Sequence, residues 1–346
     1  MHIASIDCGT TNTRVYIINK EGKIFGKGVR KVGVRDTSIT GSRDLLKEGL
    51  KEALYDALKS AGFGLSDIKY AISAGMITSE IGLLEIPHLW APAGVRDLAD
   101  HLVKVEDINI FPVPLPIYFI PGIKNQFNTE KVQIEDINNL DFMRGEETQA
   151  AGILKSYGER RPKIFVMLSS HTKFIPIDEN GKILGSITSL SGQVYEAIKK
   201  ETSIGKSVKE SDSGGNPEPQ GYFDQRIVDT SFACVRESGL LRTFVMSRFM
   251  DVLIKSEWYE RKLFIEAALA ADDILSINRL ESLGIPGGTE IILVGIPSRC
   301  RIYEYLLKEK MGWKSPISSI SDIAVIDQLN IRGSLFIARE AGILEA

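Results

Sequence analysis

The chain has 346 residues, of which 43% are hydrophobic and 25% are charged, proportions typical of a folded globular protein with about two domains. Its 42 Lys and Arg residues and 45 Asp and Glu residues leave a net charge of −3, which gives no general attraction to nucleic acid or anionic lipid. The three cysteines lie far apart in the sequence, which argues against a disulfide scaffold and against a zinc ribbon.

The first 26 residues predict three strands separated by two turns. β-Branched and other apolar residues dominate positions 3–6, 14–18 and 23–26, as expected of short strands. Residues 7–13 and 19–22 are polar and contain glycine, a composition that favours turns. The chain therefore begins with a strand–turn–strand–turn–strand arrangement.

The same arrangement recurs 159 residues later. Residues 9–26 align without a gap with 168–185, and each copy follows an apolar strand and carries a turn rich in hydroxyl groups. The identities are Thr13, Gly22, Lys23, Ile24 and Gly26, which meet Thr172, Gly181, Lys182, Ile183 and Gly185. Two unrelated hairpins could share a Gly-Lys turn by chance, but a duplicated half explains the pattern better.

The remaining elements alternate between helices, strands and polar loops. Leucine and alanine recur at helical spacing over 42–61, and Gly62 closes this helix. Further helices are predicted over 231–254, 258–283, 299–311 and 332–343, with a strand over 290–295 and loops over 124–141 and 210–221. Strands with crossing helices in each half predict an α/β fold, divided at the polar junction 158–162.

The two hydroxyl-rich turns are the first candidates for chemistry. The chain has neither a P-loop nor a Rossmann glycine motif. A tight turn of Gly, Ser and Thr presents backbone N–H and side-chain O–H donors to one point, which suits a phosphate chain. Arg14 and Lys173 could neutralise phosphate charge. Asp7 could hold Mg²⁺ through water, or it could simply cap the turn.

A second candidate lies at residues 142–152, where Gly145 ends an extended segment and Glu146 and Glu147 start a helix that runs to about residue 157. Carboxylates in a first turn are favoured by the helix dipole, so the two residues could be an N-terminal cap. Alternatively, one of them is a general base that orients an acceptor hydroxyl, and Arg144 binds an anionic group.

These motifs resemble a known family. Residues 7–14 (Asp-Cys-Gly-Thr-Thr-Asn-Thr-Arg) are similar to the first phosphate loop of the actin/hexokinase/sugar-kinase superfamily. More narrowly, the chain resembles the 2-dehydro-3-deoxygalactonokinase (2-keto-3-deoxy-galactonokinase) family over nearly its full length. Residues 143–149 (Met-Arg-Gly-Glu-Glu-Thr-Gln) are the most specific match, supported by residues 74–76, 120–122 and 171–173.

The resemblance implies an α/β fold of two ribonuclease-H-like (actin-like ATPase) domains with a nucleotide cleft between them. Residues 1–158 would supply the acceptor-sugar side, the first phosphate loop and a linker helix from about residue 146. Residues 159–346 would supply the second phosphate loop and the adenosine site, with the last helix a candidate to pack back on the first domain. The loop containing His88 and Trp90 would border the acceptor-sugar pocket.

The implied activity is that of a carbohydrate kinase, a phosphotransferase to an alcohol group that uses ATP and Mg²⁺. Its substrate would be a 2-keto-3-deoxy sugar acid, in the narrowest form 2-dehydro-3-deoxy-D-galactonate, converted to its 6-phosphate. The catalytic residues would be Arg144, Glu146 and Glu147, and Asp7 would hold the metal. The nucleotide-binding residues would be Gly9, Thr10, Thr11, Asn12, Arg14, Ser169, Ser170, His171, Thr172, Lys173 and Gly295.

Two alternatives remain open. The Gly-Glu-Glu sequence also resembles the exopolyphosphatase branch, so a phosphohydrolase with water as acceptor is the first. Ser169 and Gln193 stand where the family usually has Gly and Glu, so a non-catalytic nucleotide- or sugar-acid-binding protein is the second.

The sequence also predicts where the protein is located and what it binds. Because the sequence shows neither a signal peptide nor about 18 uninterrupted apolar residues, we expect a cytoplasmic protein. Its expected partner is a small-molecule sugar acid, with no nucleic acid and no membrane. The resemblance also allows a homodimer.

Overall fold

The structure is a computed structural model that describes residues 2–127, 130–157, 161–210, 216–286 and 288–344. The chain divides into two compact units, each built from more than one segment. The first unit comprises Met1–Arg161, Ile177–Ser186 and Asp327–Ala346, and the second comprises Pro162–Pro176 and Ile187–Ile326. The predicted boundary between residues 158 and 159 lies outside the described residues.

The first part of the chain is rich in strands. Its elements are β1 (His2–Cys8), β2 (Thr13–Asn19), β3 (Ile24–Arg30), α1 (Val34–Thr40), α2 (Asp44–Ala61), β4 (Ile68–Gly75), β5 (Leu89–Trp90), α3 (Val95–Asp100), β6 (Val103–Val105), β7 (Ile117–Phe119), β8 (Ile123–Lys124), β9 (Phe142–Met143) and α4 (Glu146–Tyr157). The predicted first three strands, the helix ending before Gly62 and the helix starting at Glu146 are confirmed.

The rest of the chain contains more helix. Its elements are β10 (Lys163–Leu168), β11 (Thr172–Ile177), β12 (Ile187–Ser189), α5 (Ser191–Glu201), α6 (Gln225–Ser238), α7 (Leu240–Phe249), α8 (Trp258–Leu275), β13 (Glu290–Val294), α9 (Pro297–Tyr305), β14 (Ile317–Ile320) and α10 (Ile323–Glu340). None of the helices in the described ranges combines the length and apolar character needed to cross a bilayer.

Two helix predictions need correction. The helix predicted over 231–254 is two helices, because Gly239 takes a φ of 80° and a left-handed residue ends α6 before α7 begins. The last helix begins nine residues earlier than predicted. Residues 323–331 contain several β-branched side chains, which lower helix propensity, so the sequence pattern did not indicate a helix there. Loop 124–141 contains a short 3₁₀ helix at Ile134–Asn139, and residues 211–215 of the other predicted loop lie outside the described ranges.

The two large sheets share the same strand order over five strands, and the first has one more strand at its edge. The first is β3-β2-β1-β4-β7-β6 and the second is β12-β11-β10-β13-β14. In each sheet, the first three strands lie side by side in chain order. The next strand pairs parallel with the other side of the first strand, β4 with β1 and β13 with β10. The carboxyl ends of the parallel strands therefore share one edge of each sheet, where open α/β sheets bind ligands.

The predicted repeat is confirmed at the level of individual turns. Gly22 and Gly181 both have positive φ, 85° and 77°. The Lys23 N–H donates to Oδ1 of Asn19 at 2.8 Å, and the Lys182 N–H donates to Oδ1 of Asp178 at 2.7 Å. Both halves thus use an Asx residue and a left-handed glycine to turn the second strand.

Within the first unit, α4 and α10 cross at a pair of glycines. A Cβ added to Gly152 would collide with the carbonyl oxygen of Leu329, and one added to Gly333 would collide with that of Thr148. The two backbones therefore approach closely, and this contact holds α4 in place behind its first turn.

We expect Gly333→Ala to lower the free energy of unfolding by about 1–3 kcal/mol, because the added methyl group forces the helices apart. This sign is opposite to the usual stabilisation by alanine within a helix. Urea denaturation would measure it, with Glu340→Ala at the exposed end of α10 as the control, for which we expect a change within about 0.5 kcal/mol. A Gly333→Ala variant as stable as the wild type would contradict the close crossing.

Candidate active site

The first candidate turn follows β1 at the carboxyl edge of the first sheet. Parallel pairing places Asp7 opposite Ala74 and Cys8 opposite Gly75, so the ends of β1 and β4 lie together. The Gly9 N–H then donates to the Asn12 carbonyl at 2.9 Å, which closes a tight turn. Thr10 and Thr11 are exposed on it, so their hydroxyl groups are accessible to a ligand.

Buried neighbours hold this turn in place. The Thr13 hydroxyl is buried and donates to the Val32 carbonyl at 2.8 Å. The N–H groups of Val34 and Arg35 donate to the carbonyls of Gly9 and Thr10 at 3.2 and 2.9 Å. The backbone of the turn is thus fixed, as a preorganised anion site requires.

Asp7 and Arg14 form an ion pair beside the turn. Arg14 Nη1 lies 3.2 Å from Asp7 Oδ2, and the two side chains are 41% and 30% exposed. Burial raises the pKa of Asp7, and the charge of Arg14 opposes that rise. Within the described ranges no cluster of three or more His, Cys, Asp or Glu residues could cage a metal. One carboxylate fits Mg²⁺, which keeps most of its water and takes its other ligands from phosphate.

Two glycines bring α4 to the same edge. A Cβ on Gly145, whose φ is 110°, would lie 3.3 Å from the Cα of Gly75. A Cβ on Gly75 would in turn lie 3.9 Å from Oδ1 of Asp7. Glycine at position 145 therefore lets α4 approach Gly75, whose own Cβ would lie 3.0 Å from the carbonyl oxygen of Cys8. The first turn of α4, with Glu146 and Glu147, is therefore positioned close to Asp7.

The two glutamates differ in environment. Glu147 is 1% exposed, and its carboxylate accepts the Gly145 N–H at 2.7 and 2.9 Å and the Thr148 hydroxyl at 3.1 Å. Burial, aided by the charge of Glu146, raises the pKa of Glu147 to about 7. Glu146 is partly exposed. Because a general base must reach the proton that it accepts, Glu146 is the better placed of the two candidates.

Arg144 contacts protein groups with its guanidinium. It donates to the Thr78 hydroxyl at 2.9 Å and to the Ile86 carbonyl at 2.7 Å, and Nη2 lies 3.3 Å from Nδ1 of His88. Burial lowers its pKa. The Arg144 side chain thus joins the start of α4 to the segment before β5.

The second candidate turn follows β10 in the second unit. Ser169 and Ser170 are exposed, and their hydroxyls contact His171, at its carbonyl (3.2 Å) and at Nδ1 (3.4 Å). The Gln193 N–H donates to the Ser170 carbonyl at 2.9 Å. A Cβ on Gly192 would lie 2.8 Å from the Cα of Ser170. Residues 191–193 thus pack directly against this turn and shape it.

Three other predicted binding residues lie beside the second turn, in or after its strands. Thr172 is buried, with its hydroxyl 3.3 Å from that of Tyr303, and buried Lys173 donates to the Thr188 hydroxyl at 2.7 Å. The Gly295 N–H donates to the Ile320 carbonyl at 3.1 Å. These residues support the second sheet and its turn. Direct phosphate contact by the side chains of Thr172 and Lys173 would require the exposure that they lack.

A buried polar network behind the second turn was missed in the sequence. Asp273 accepts hydrogen bonds from the hydroxyls of Ser189, Ser191 (2.5 Å) and Tyr303, and Tyr303 contacts Thr172. Burial raises the pKa of Tyr303 well above its ordinary value. The one available signal was a carboxylate inside the apolar, alanine-rich run of α8, since a buried acid requires hydrogen-bond donors.

Comparison with known proteins identifies the family. The family model described as 2-keto-3-deoxy-galactonokinase matches residues 7–324. The chain belongs to this family. The match begins at Asp7 and spans both candidate turns and the Glu146–Glu147 pair, so the resemblance predicted from the motifs is confirmed.

Two curated relatives carry related names. A protein of Rhizobium meliloti (strain 1021) named "Probable 2-dehydro-3-deoxygalactonokinase DgoK1" is 24% identical over 212 residues, which are 61% of each chain. The 2-dehydro-3-deoxygalactonokinase of Escherichia coli (strain K12) is 26% identical over 134 residues, 39% of each chain. The chain therefore matches less than two thirds of the length of either relative.

Solved structures of similar fold cover almost the whole chain. A Sinorhizobium meliloti protein assigned as a 2-dehydro-3-deoxygalactonokinase has a TM-score of 0.69 at 19% identity, covering 97% of this chain and 98% of its own. The activator of 2-hydroxyisocaproyl-CoA dehydratase from Clostridium difficile, solved with ADPNP, has a TM-score of 0.51 at 14% identity, covering 99% and 96%. These similarities show the fold alone, and with the repeated sheet order they confirm the predicted α/β class of two ribonuclease-H-like units.

Proposed function

We propose that this protein is a carbohydrate kinase that transfers the γ-phosphoryl group of ATP to a 2-keto-3-deoxy sugar acid. The substrate that fits the family best is 2-dehydro-3-deoxy-D-galactonate, phosphorylated at its 6-hydroxyl. The observation that carries this proposal is the meeting of Asp7, the Thr10–Thr11 turn and the start of α4 at one sheet edge. Phosphoryl transfer needs chiefly such alignment together with neutralisation of charge.

Each turn has a proposed role toward the nucleotide. The hydroxyl and amide groups of Thr10, Thr11 and Asn12 donate to phosphate oxygens, and the turn of Ser169, Ser170 and His171 offers donors of the same kind. Gly9 allows the backbone to approach the phosphates. Arg14 adds positive charge, while Thr172, Lys173 and Gly295 act by holding their strands and turns in position.

Asp7 is the proposed partner of Mg²⁺, through water. When bound, the metal would neutralise charge on the phosphate chain. Glu146 then accepts the proton of the 6-hydroxyl as that oxygen bonds to the γ-phosphorus and the bond to the bridging oxygen of ADP breaks. Glu147 holds the Gly145 backbone at the start of the helix that carries Glu146.

A coupled ADP-release assay with Mg²⁺-ATP and a panel of 2-keto-3-deoxy sugar acids and plain aldoses tests this function. ADP release that requires 2-dehydro-3-deoxy-D-galactonate is the expected result. Equally fast release without any acceptor would overturn the kinase in favour of a phosphohydrolase. No release, with ATP still raising the melting temperature, would overturn it in favour of a binding protein.

A further inference from the structure

A small three-stranded sheet presents aromatic rings and one lysine on its outer face. β8 pairs with β5 and with β9, and the register places Lys124 between Trp90 and Phe142. These outward residues are accessible, with Trp90 36% and Phe142 58% exposed. Their neighbours Ile123 and Met143, which face the other way, are buried. We call the outer group of Trp90, Lys124 and Phe142 the aromatic face.

The ammonium group of Lys124 is held above an indole ring. Its Nζ lies 3.7 Å from the centroid of Trp90, within cation–π distance. The ring of Phe127 packs edge-on against Trp90 at 4.8 Å, which fixes the indole in turn. Among the residues that the structure describes, Lys124 forms no ion pair with a carboxylate. Its charge is therefore localised by a ring and can be matched by an anion from solution.

The aromatic face is connected to the start of α4. The ring of Phe142 packs against His88 at 5.2 Å, and His88 contacts Arg144. Phe142 lies four residues before Glu146, so at most about 14 Å of chain separates them. A six-carbon sugar acid carries its carboxylate at one end and its 6-hydroxyl at the other. Lys124, which pairs with Phe142, and Glu146 thus lie at the two ends of one short segment and carry opposite charges.

Arg144 does not fill this role. Its guanidinium donates to Thr78 and to the Ile86 carbonyl, and breaking those bonds would leave buried polar groups without partners at a cost. The ammonium group of Lys124 lies over the Trp90 ring, so a carboxylate can bind it without breaking hydrogen bonds of this kind. Lys124 is therefore the better placed of these two cations to bind a carboxylate.

We propose that Lys124 binds the carboxylate of the sugar-acid substrate and that Trp90 supports the apolar C–H surface of its carbon chain. This inference rests on the proposed kinase function, and it explains selection of an acid over a neutral sugar. A charge-assisted bond between an ammonium and a carboxylate supplies affinity, while the indole holds the lysine and fixes the position of the bond.

Steady-state kinetics of Lys124→Met test the proposal. We expect KM for the sugar acid to rise roughly 10- to 100-fold, the loss of one charge-assisted bond, with KM for ATP and kcat unchanged. Lys124→Arg should keep most of the affinity, because it retains the charge. Lys23→Met removes another lysine that lies over a ring, that of Phe25 at 5.2 Å, and should change nothing.

A neutral substrate analogue provides the decisive comparison. The carboxamide of the same sugar acid should have a raised KM with the wild type, and Lys124→Met should no longer distinguish acid from amide. If Lys124→Met distinguishes them as the wild type does, the proposal is wrong. A melting temperature close to that of the wild type would show that the variant is folded, and Lys124→Gln provides a second variant if it is not.

Binding without turnover separates this proposal from the proposed function. If the wild type releases no ADP, the kinase function fails, and calorimetric titration with 2-dehydro-3-deoxy-D-galactonate alone still tests the subsite. Binding to the wild type that weakens about tenfold or more in Lys124→Met supports it. Equal binding by both proteins, or no binding by the wild type, overturns it.

Discussion

Glu146→Gln is expected to reduce kcat by about 10²–10⁴-fold, the usual contribution of a general base. Glutamine keeps the size of the side chain but cannot accept the proton of the acceptor hydroxyl. Glu146 is partly exposed at the first position of α4, whereas Glu147 is buried. KM for ATP and the melting temperature should therefore stay close to the wild-type values in the coupled assay and in thermal unfolding.

Glu147→Gln is the matched control, one residue away in the same turn. Its carboxylate binds the Gly145 N–H with both oxygens, and an amide group would present an N–H in place of one acceptor. Near pH 4.5 we expect the free energy of unfolding to fall by about 1–3 kcal/mol, with a smaller loss of kcat than in Glu146→Gln. If Glu147→Gln loses activity while Glu146→Gln keeps it, the base has been assigned to the wrong residue. Full activity in both would exclude a carboxylate base at this helix.

The free energy of unfolding should contain a contribution from Glu147 that declines as the pH rises from about 4.5 to about 7. The pKa of this group is raised from 4.5 to about 7 in the folded protein, so between these values the folded state holds a proton that the unfolded state has released. Its contribution is complete below the unfolded value and is lost as the pH passes the folded value. At about 1.4 kcal/mol for each pH unit between the two values, the loss is about 3 kcal/mol.

Urea denaturation of the wild type and of Glu147→Gln between pH 4.5 and 8 measures this contribution. Asp97 and Asp224, whose pKa values are lowered by hydrogen bonds, act in the opposite direction in both proteins and cancel in the difference. The gap between the two curves should change by about 3 kcal/mol over the window. A constant gap would mean that Glu147 titrates in the folded protein as it does in the unfolded chain.

The sequence predicted the parts of the fold that depend on local patterns. The first three strands, the repeat with its Gly22 and Gly181 turns, and the start of α4 all follow from spacing and turn residues. β5, β8 and β9 could not be predicted, because each has two residues and a period of two cannot be recognised over that length. Their pairing joins residues that are far apart in the chain.

The sequence predicted which types of residue form the candidate site, but not which of their side chains are exposed. The exposed Thr10, Thr11, Ser169 and Ser170 lie where the turns predict them. Thr172 and Lys173 carry suitable chemistry but fall within β11, where both side chains are buried. The sequence shows which hydrogen bonds a side chain can donate, but tertiary packing decides whether that side chain is buried.

The division of the first unit into three segments has a consequence for biosynthesis. Residues 187–326, nearly all of the second unit, are translated before Asp327–Ala346, which the first unit needs for completion. Domains fold as units while the chain emerges, so the unit that begins to fold first finishes last. Until α10 leaves the ribosome, the face of α4 around Thr148 and Gly152 is exposed to water and open to contact with other proteins.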